Sequence, residues 1–364
     1  MLLEQVMLKN LVKSYGDLTA LKGINLSIMK GEFFSLLGPS GCGKTTTLRL
    51  IGGFEQPTSG EVFISDEIMN GKPPYKRRVN TVFQNYALFP HMNVFNNLAF
   101  GLVQKNSPKD LIRSRVSQML ELVQLPGYEN RRITEMSGGQ QQRIALARAL
   151  INEPEVLLLD EPLGALDQKL RKNMQVELKR LQEKLNITFI LVTHDQEEAL
   201  ALSDRIAVMN EGNIEQVGKP YEIYEFPKTR FVADFIGATN LLKVSVLEVD
   251  SDFIHLQFGN NTLKARKNGV PCSSGENLEV SIRPERLWLT NTGEDITDNL
   301  LRGCITDVMF LGDVTHYDVR LNNNIHVIAA QQNITHREKD QSVFCEGQEI
   351  FLQCNPDALR LVKT

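Results

Sequence analysis

Long hydrophobic runs are missing from this 364-residue sequence, and no stretch approaches the roughly 18 apolar residues that would indicate a membrane-spanning helix. Residues 1–10 carry charge early and contain neither a long apolar segment nor a cleavage site, so we expect no secretory signal. The five cysteines lack CxxC spacing, which argues against a disulfide framework or a zinc site and favours a reducing compartment. We therefore expect an intracellular protein.

A strongly basic surface is also missing. The net charge is −4, divided unevenly as +1 over residues 1–238 and −5 over residues 239–364. Nucleic-acid backbones require clusters of Lys and Arg, so this balance argues against a DNA or RNA partner. Hydrophobic residues make up 42% of the chain, which is enough to build buried cores. At roughly 100–200 residues per domain, the length indicates about two domains.

Short apolar segments alternate with longer helical patterns up to about residue 237. The predicted strands are 32–37, 78–83, 156–160 and 188–193, and the predicted helices are 44–52, 140–151 and 168–185. Strands that are hydrophobic throughout and alternate with helices indicate an α/β fold built in layers. Residues 107–124 are rich in helix formers and predict a helical insert.

Beyond residue 240 the pattern changes to short segments in which apolar and polar residues alternate. These predicted strands, separated by Gly, Asn, Asp and Pro turns, are residues 241–249, 253–258, 278–282, 305–309, 315–321, 325–329 and 350–353. Repeated short strands at this spacing predict a small all-β domain, either a sandwich or a barrel. We therefore expect two domains, residues 1–238 and residues 239–364.

A glycine-rich loop follows the strand at 32–37 and precedes a predicted helix. It matches GxxxxGK[ST] in full and consists of Gly38, Pro39, Ser40, Gly41, Cys42, Gly43, Lys44 and Thr45, with Thr46 next in the helix. The flanks are those of a phosphate-binding P-loop, in which backbone N–H groups and the helix N-terminus face phosphate oxygens. We expect Lys44 to reach the β- and γ-phosphates of a nucleotide, Thr45 to ligate Mg²⁺, and Cys42 to be a small filler.

Two carboxylates end the apolar strand at 156–160. Asp160 and Glu161 are followed by Pro162, and a parallel strand delivers both acids to the sheet edge that carries the P-loop. Asp160 is expected to help hold Mg²⁺, and Glu161 to orient or deprotonate an attacking water. A solvated turn is the alternative interpretation, and the nearby P-loop favours the functional one.

A second anion-binding helix N-terminus is predicted at Ser137, Gly138, Gly139 and Gln140, directly before a helix. One P-loop already serves the nucleotide of this chain. A second phosphate-binding segment is explained if it contacts the nucleotide held by a partner chain.

With this motif the chain resembles the ATP-binding subunits of ABC transporters, in which the signature motif of one subunit caps the ATP on the P-loop of the other. Met136 stands where that family usually has Leu, and since both side chains are apolar we expect little effect. The resemblance covers residues 1 to about 238. It implies a Mg²⁺-dependent ATPase that works as a pair of nucleotide-binding subunits.

Further family motifs occur in the expected order. Tyr15 resembles the aromatic residue that stacks on adenine, although a half-buried core tyrosine is the alternative. Gln84 matches the Q-loop glutamine, which contacts Mg²⁺ and the attacking water and reports the γ-phosphate to the membrane subunits. Asp167 ends a match to the D-loop at residues 163–167. His194 matches the switch histidine that contacts the γ-phosphate.

The neighbourhood of Gln84 indicates a subfamily. Residues 79–92, 169–175 and 194–200 closely resemble the corresponding segments of spermidine/putrescine importer ATPases. Residues 231–240 and the β-rich tail resemble the C-terminal regulatory domain of OB-like (TOBE) strands in this group. Maltose-type and iron-type importer ATPases share that domain, so the tail does not select the solute.

The resemblance implies partners that the chain does not contain. These are a second copy of the ATPase subunit, two transmembrane permease subunits and, indirectly, an extracytoplasmic solute-binding protein. The expected location is the cytoplasmic face of the cell membrane, reached through the permease subunits, with a contact around residues 84–92.

Two alternatives to polyamine import follow from the same motifs. One is an importer ATPase for iron, a sugar or an organic anion. The other is an ABC-type ATPase that acts on ribosomes or DNA, which is disfavoured because the chain has one P-loop and Ser137 follows Thr45 by only 92 positions. The −5 charge of residues 239–364 leaves open whether that domain senses a polycation or is merely solvated.

Overall fold

The chain folds into two units, residues 1–220 and residues 221–364, in a computed structural model. The structure describes residues 3–164, 166–267, 269–291, 299–333 and 344–363. Among these residues no helix is both long enough and apolar enough to cross a membrane. The domain boundary that we expect near residue 238 stays a prediction.

The strands of the first unit form two sheets. In chain order they are β1 (Glu4–Tyr15), β2 (Leu18–Met29), β3 (Phe33–Leu37), β4 (Ser59–Ile64), β5 (Glu67–Ile68), β6 (Val79–Val82), β7 (Val156–Asp160), β8 (Thr188–Thr193), β9 (Arg205–Asn210) and β10 (Asn213–Gly218). The antiparallel sheet has the order β2-β1-β4-β5, and the larger sheet has the order β10-β9-β3-β8-β7-β6. Neighbours from β9 to β6 are parallel, and β10 is antiparallel to β9.

The parallel strands are buried on both faces, which explains why their sequences are apolar throughout. Successive side chains point to opposite faces of the sheet. Phe34 therefore packs in the core on one face, whereas Phe33 packs in the core on the other. The α/β class predicted from the sequence is confirmed for this unit.

The helices of the first unit connect these strands. They are α1 (Lys44–Gly52), α2 (Val94–Gln104), α3 (Lys109–Leu122), α4 (Gly138–Leu150), α5 (Gln168–Leu185) and α6 (Gln196–Leu202). Helix α4 begins two residues before its predicted start because Ser137 caps it: its hydroxyl accepts from the backbone N–H of Gln140, whose side chain accepts from the N–H of Ser137. Helix α2 was not predicted, because its sequence contains weak helix formers such as Asn and Gly.

The second unit is β-rich, as predicted. It contains β11 (Asn240–Val249), β12 (Phe253–Phe258), β13 (Asn261–Arg266), β14 (Asn277–Ile282), β15 (Trp288–Thr290), β16 (Leu300–Phe310), β17 (Val314–Leu321), β18 (His326–Gln332), β19 (Glu349–Gln353) and β20 (Arg360–Val362), preceded by α7 (Pro220–Glu225) and α8 (Arg230–Phe235). Two antiparallel sheets have the orders β13-β12-β11-β14-β20 and β15-β19-β16-β17-β18. Alternate residues of both sheets share one hydrophobic core.

Arg77 closes the C-terminal end of α1, the helix that follows the glycine-rich loop. Its guanidinium donates to the carbonyls of Leu50 and Ile51 at 2.7 and 2.8 Å, and also to those of Met69 and Lys72. Burial lowers the pKa of the Arg77 guanidinium. The positive charge lies at the end of α1 where the helix dipole is negative, so it is electrostatically favourable there.

Replacing Arg77 with Leu should lower the free energy of unfolding by about 3 kcal/mol or more, because several buried carbonyls lose their donor. The neighbouring Arg78 is the matched control, since its side chain is 79% exposed and contacts Glu155. Arg78→Ala should cost less than about 1 kcal/mol. Urea unfolding followed by circular dichroism measures both changes. An Arg77→Leu chain with the stability of the Arg78→Ala chain would contradict this role.

Candidate active site

The predicted site residues follow parallel strands that end at one edge of the larger sheet. The register pairs Leu37 with Thr193, Asp160 with Val192, and Val82 with Leu159. The loops after β3, β6, β7 and β8 therefore emerge at the same edge, which is where open parallel sheets carry their ligands.

The glycine-rich loop has a backbone that side chains would disrupt. A Cβ atom on Gly38 would lie 2.3 Å from the carbonyl oxygen of Met209, and Gly43 has a φ of +106°. Lys44 is 5% exposed, and its Nζ donates to the carbonyls of Gly38 and Pro39 at 2.8 Å each. The ammonium group is thus held by two carbonyls at the start of the loop. Ser40 and Gly41 are exposed there, and Cys42 is buried in the core, as a filler would be.

The first turn of α1 can accept an anion. Its N-cap, Gly43, supplies no side-chain hydrogen bond, and the turn contains no acidic residue. Lys44, Thr45 and Thr46 begin the helix, so their backbone N–H groups point out of its N-terminus. A phosphate group fits this position because it would satisfy these donors and match the positive end of the helix dipole.

The chain also offers oxygen ligands for a cation next to this turn. The Thr45 hydroxyl donates to Asp160 Oδ1 at 3.5 Å. Burial raises the pKa of the Asp160 carboxyl and the Glu161 carboxylate raises it further, whereas Arg49 and Lys44 lower it. Hydroxyl and carboxylate oxygens are the ligands that Mg²⁺ prefers, so these residues fit a magnesium ion bound together with phosphates.

Glu161 is the point on which two other predicted site residues converge. His194 Nδ1 lies 3.1 Å from Oε1 of Glu161, and Gln84 Nε2 donates to Oε2 at 3.2 Å. The backbone of Glu161 has a φ of +46°, which is costly for a residue with a side chain, and its N–H donates to the carbonyl of Val192. The structure thus brings Gln84, Glu161 and His194 together beside the glycine-rich loop.

A group of residues that sequence analysis did not identify supports the loop containing His194. Thr193 donates to the buried Glu198 carboxylate at 2.7 Å, and Asp195 caps α6 by accepting from the Glu198 N–H. Arg171 from α5 donates to Asp195 at 3.0 Å. Burial raises the pKa of Glu198. The spacing Asp195-x-x-Glu198 is that of a capping box, which is the signal that could have identified the pair.

Tyr15 ends β1 and is 43% exposed, so it is available for stacking. It pairs with Leu18 at the end of the β1–β2 hairpin, and the Lys13 ammonium lies 4.7 Å from the centre of its ring. The next residues of β2 lie against the glycine-rich loop, since a Cβ on Gly43 would be 2.6 Å from Leu21. The hairpin end is therefore near the loop.

The second predicted phosphate-binding segment lies at the N-terminus of α4. Ser137 and Gly138 are exposed, Gln140 is partly exposed, and Gly139 packs on Leu170. Asp167 caps α5 next to this segment, accepting from the N–H of Leu170 at 2.9 Å, while Ala165 lies outside the described residues. In the part of the chain that the structure describes, no hydrogen bond joins this segment to the glycine-rich loop.

Comparison with known proteins agrees with this geometry. The model of the "ABC transporter" family matches residues 21–164, and that of the "TOBE domain" matches residues 280–362. A dimeric post-hydrolysis structure of the ATP-binding cassette MJ0796 bound to ADP and Pi is 36% identical, with a TM-score of 0.53 over 59% of this chain and 98% of that one. The structure of cbiO1 from Clostridium perfringens is 32% identical, with a TM-score of 0.58 over 61% of this chain and 90% of that one. The first unit is thus an ABC-type ATPase cassette.

Full-length relatives define the family more closely. The spermidine/putrescine import ATP-binding protein PotA of Rubrobacter xylanophilus is 54% identical over 90% of this chain and 86% of its own length. The protein of that name from Clostridioides difficile is 48% identical over 98% of this chain and 97% of its own length. The chain belongs to the family of spermidine/putrescine import ATP-binding proteins.

Proposed function

We propose that this chain is the ATP-hydrolysing subunit of an ABC importer for polyamines. The observation that carries the hydrolytic part is the convergence of Gln84 and His194 on Glu161, within 3.2 and 3.1 Å, beside a phosphate-binding loop. The names of the relatives support the transported solute.

The residues of the glycine-rich loop bind the phosphates of ATP. Lys44 moves its ammonium from the loop carbonyls to the β- and γ-phosphate oxygens, and the N–H groups of residues 38–46 donate to the same chain of phosphates. Tyr15 stacks on the adenine ring. Thr45, Asp160 and Gln84 would hold Mg²⁺, which when bound would neutralise charge on the phosphate oxygens.

Glu161 orients the attacking water and accepts its proton. The Gln84 amide contacts one oxygen of the carboxylate and the His194 imidazole contacts the other. The orientation of the carboxylate is therefore fixed before ATP binds. His194, which carries one N–H in its neutral form, then turns that N–H from Glu161 to a γ-phosphate oxygen as the bond from phosphorus to the leaving ADP oxygen breaks. Catalysis on this proposal consists mainly of positioning and charge neutralisation.

A second copy of the chain completes each site. Ser137, Gly138, Gly139 and Gln140 donate to the γ-phosphate bound by the other subunit, and Asp167 lies at the same contact. Among the described residues no hydrogen bond joins this segment to the glycine-rich loop of its own chain, which supports this arrangement. Two transmembrane permease subunits are the further partners, and a solute-binding protein outside the membrane acts through them. The chain is accordingly peripheral to the cytoplasmic face of the membrane.

Uptake by cells lacking this subunit tests the solute. Labelled spermidine, putrescine, iron and maltose are supplied after the wild-type chain or the Lys44→Ala chain is returned at equal abundance. The wild-type chain should restore uptake of spermidine or putrescine alone, and the Lys44→Ala chain should restore none, because the phosphate contacts are lost. Restored uptake of iron or maltose instead would overturn the polyamine part and leave the ATPase part standing.

A further inference from the structure

Arg148 holds the backbone just beyond Gln84. Its two terminal nitrogens donate to the carbonyls of Tyr86 and Ala87 at 3.0 and 2.8 Å. The guanidinium also lies 5.3 Å from the centre of the Phe89 ring, a cation–π contact. Arg148 thus contacts the loop after β6 at Tyr86, Ala87 and Phe89.

The two carbonyls belong to residues in an unfavourable conformation. Tyr86 has a φ of +60° and Ala87 a φ of +46°, in the left-handed region that residues with a side chain rarely adopt. The Tyr86 hydroxyl is buried and has no hydrogen-bond partner among the described residues, so it does not fix the turn. Such a conformation persists only where its surroundings hold it. The N–H groups of Tyr86 and Ala87 donate within the loop, to Phe83 and Asn85, and Arg148 adds the two bonds that reach the turn from another element.

The turn sets the position of Gln84. Gln84 lies two residues before Tyr86, and its side chain donates to Glu161. On the other side, Arg148 stands near the end of α4, whose N-terminus is capped by Ser137. At 1.5 Å per residue, about 16 Å of helix connects Ser137 to Arg148. One rigid element therefore carries both the second phosphate-binding segment and the residue that holds the Gln84 turn.

We propose that Arg148 is a positioning residue for ATP hydrolysis, which acts by holding the turn at Tyr86 and Ala87 so that Gln84 stays on Glu161. This inference rests on the proposed ATPase function.

Arg148→Met tests the inference, because it removes every donor and keeps much of the volume. The expected result is a fall in kcat of roughly tenfold or more with the Kd for ATP changed less than about twofold, since the phosphate loop is untouched. Arg148→Lys keeps the charge and a donor nitrogen but loses the planar fork that reaches two carbonyls at once, so it should recover part of kcat. Arg115→Met is the matched control, because Arg115 is a half-buried arginine of the same unit whose guanidinium pairs with the exposed Glu153. The kcat of this variant should stay at the wild-type value.

A double substitution separates positioning from a merely structural role. If Arg148 acts through Gln84, then Gln84→Ala with Arg148→Met should have the kcat of Gln84→Ala alone. Multiplied losses in the double variant, or an unchanged kcat in Arg148→Met, would overturn the inference. If the Met variant does not fold, the same comparison with Arg148→Lys decides. A wild-type chain without Mg²⁺-dependent ATPase activity would instead overturn the proposed function itself.

Discussion

Glu161→Gln should abolish ATP turnover while leaving ATP binding intact. The amide keeps the shape of the side chain, but it cannot accept a proton from water, and removal of a positioned general base typically costs 10²–10⁴-fold, so we expect a loss of about that size. Lys44, Thr45 and Asp160 are unchanged, so nucleotide affinity should stay at the wild-type value. Steady-state phosphate release and ATP titration by calorimetry measure the two quantities separately.

The same substitution should change the oligomeric state. When ATP closes the pair and cannot be hydrolysed, the ATP-bound dimer accumulates, which light scattering after gel filtration detects in the presence of ATP and Mg²⁺. Glu155→Gln is the matched control, because Glu155 immediately precedes β7 and Glu161 immediately follows it. It should hydrolyse ATP as the wild type does and form no trapped dimer. Turnover near the wild-type rate in Glu161→Gln would show that another residue activates the water.

Much of this site could be predicted because its signals are local. The bounds of α1, β7, α5 and β8 agree with those expected from the sequence, since each is an apolar or amphipathic run ended by a clear turn. The residues at the sheet edge follow, because parallel strands place their carboxyl ends together. The meeting of Gln84 and His194 at Glu161 also depends on the order β8-β7-β6 in the sheet, which the sequence analysis did not predict.

Other features depend on contacts between distant segments. Strand β1 pairs with β4, where Val6 lies opposite Ile64, and no local pattern selects that partner. Arg148 donates to backbone carbonyls, which every residue carries. The amino-acid sequence therefore indicates neither which residues Arg148 contacts nor what it does. The positive φ values at Tyr86 and Ala87 could not be predicted from the sequence either, because Tyr and Ala are not residues that usually indicate a left-handed turn.

Dimers that carry Ser137→Arg in one chain and Lys44→Ala in the other should retain ATPase activity, whereas dimers of either variant alone should be inactive. Ser137→Arg places a large side chain where the γ-phosphate of the partner docks, and Lys44→Ala weakens phosphate binding within its own chain. In the mixed dimer both changes fall in one composite site, so the other site is undamaged. About half of the wild-type turnover is expected, because a two-fold dimer has two equivalent sites.

The decisive control places both substitutions in one chain and pairs it with a wild-type chain, using two affinity tags to isolate each dimer. The number of altered residues is the same, but each composite site now contains one of the two changes, so neither site is complete. Activity should therefore be high when the substitutions are in different chains and lost when they are in the same chain. If each chain instead hydrolysed ATP by itself, the relation would reverse, because the wild-type chain in the control dimer would keep its own activity while both chains of the mixed dimer would be damaged. The sign of this difference decides whether Ser137 serves the nucleotide of its own chain or that of the partner.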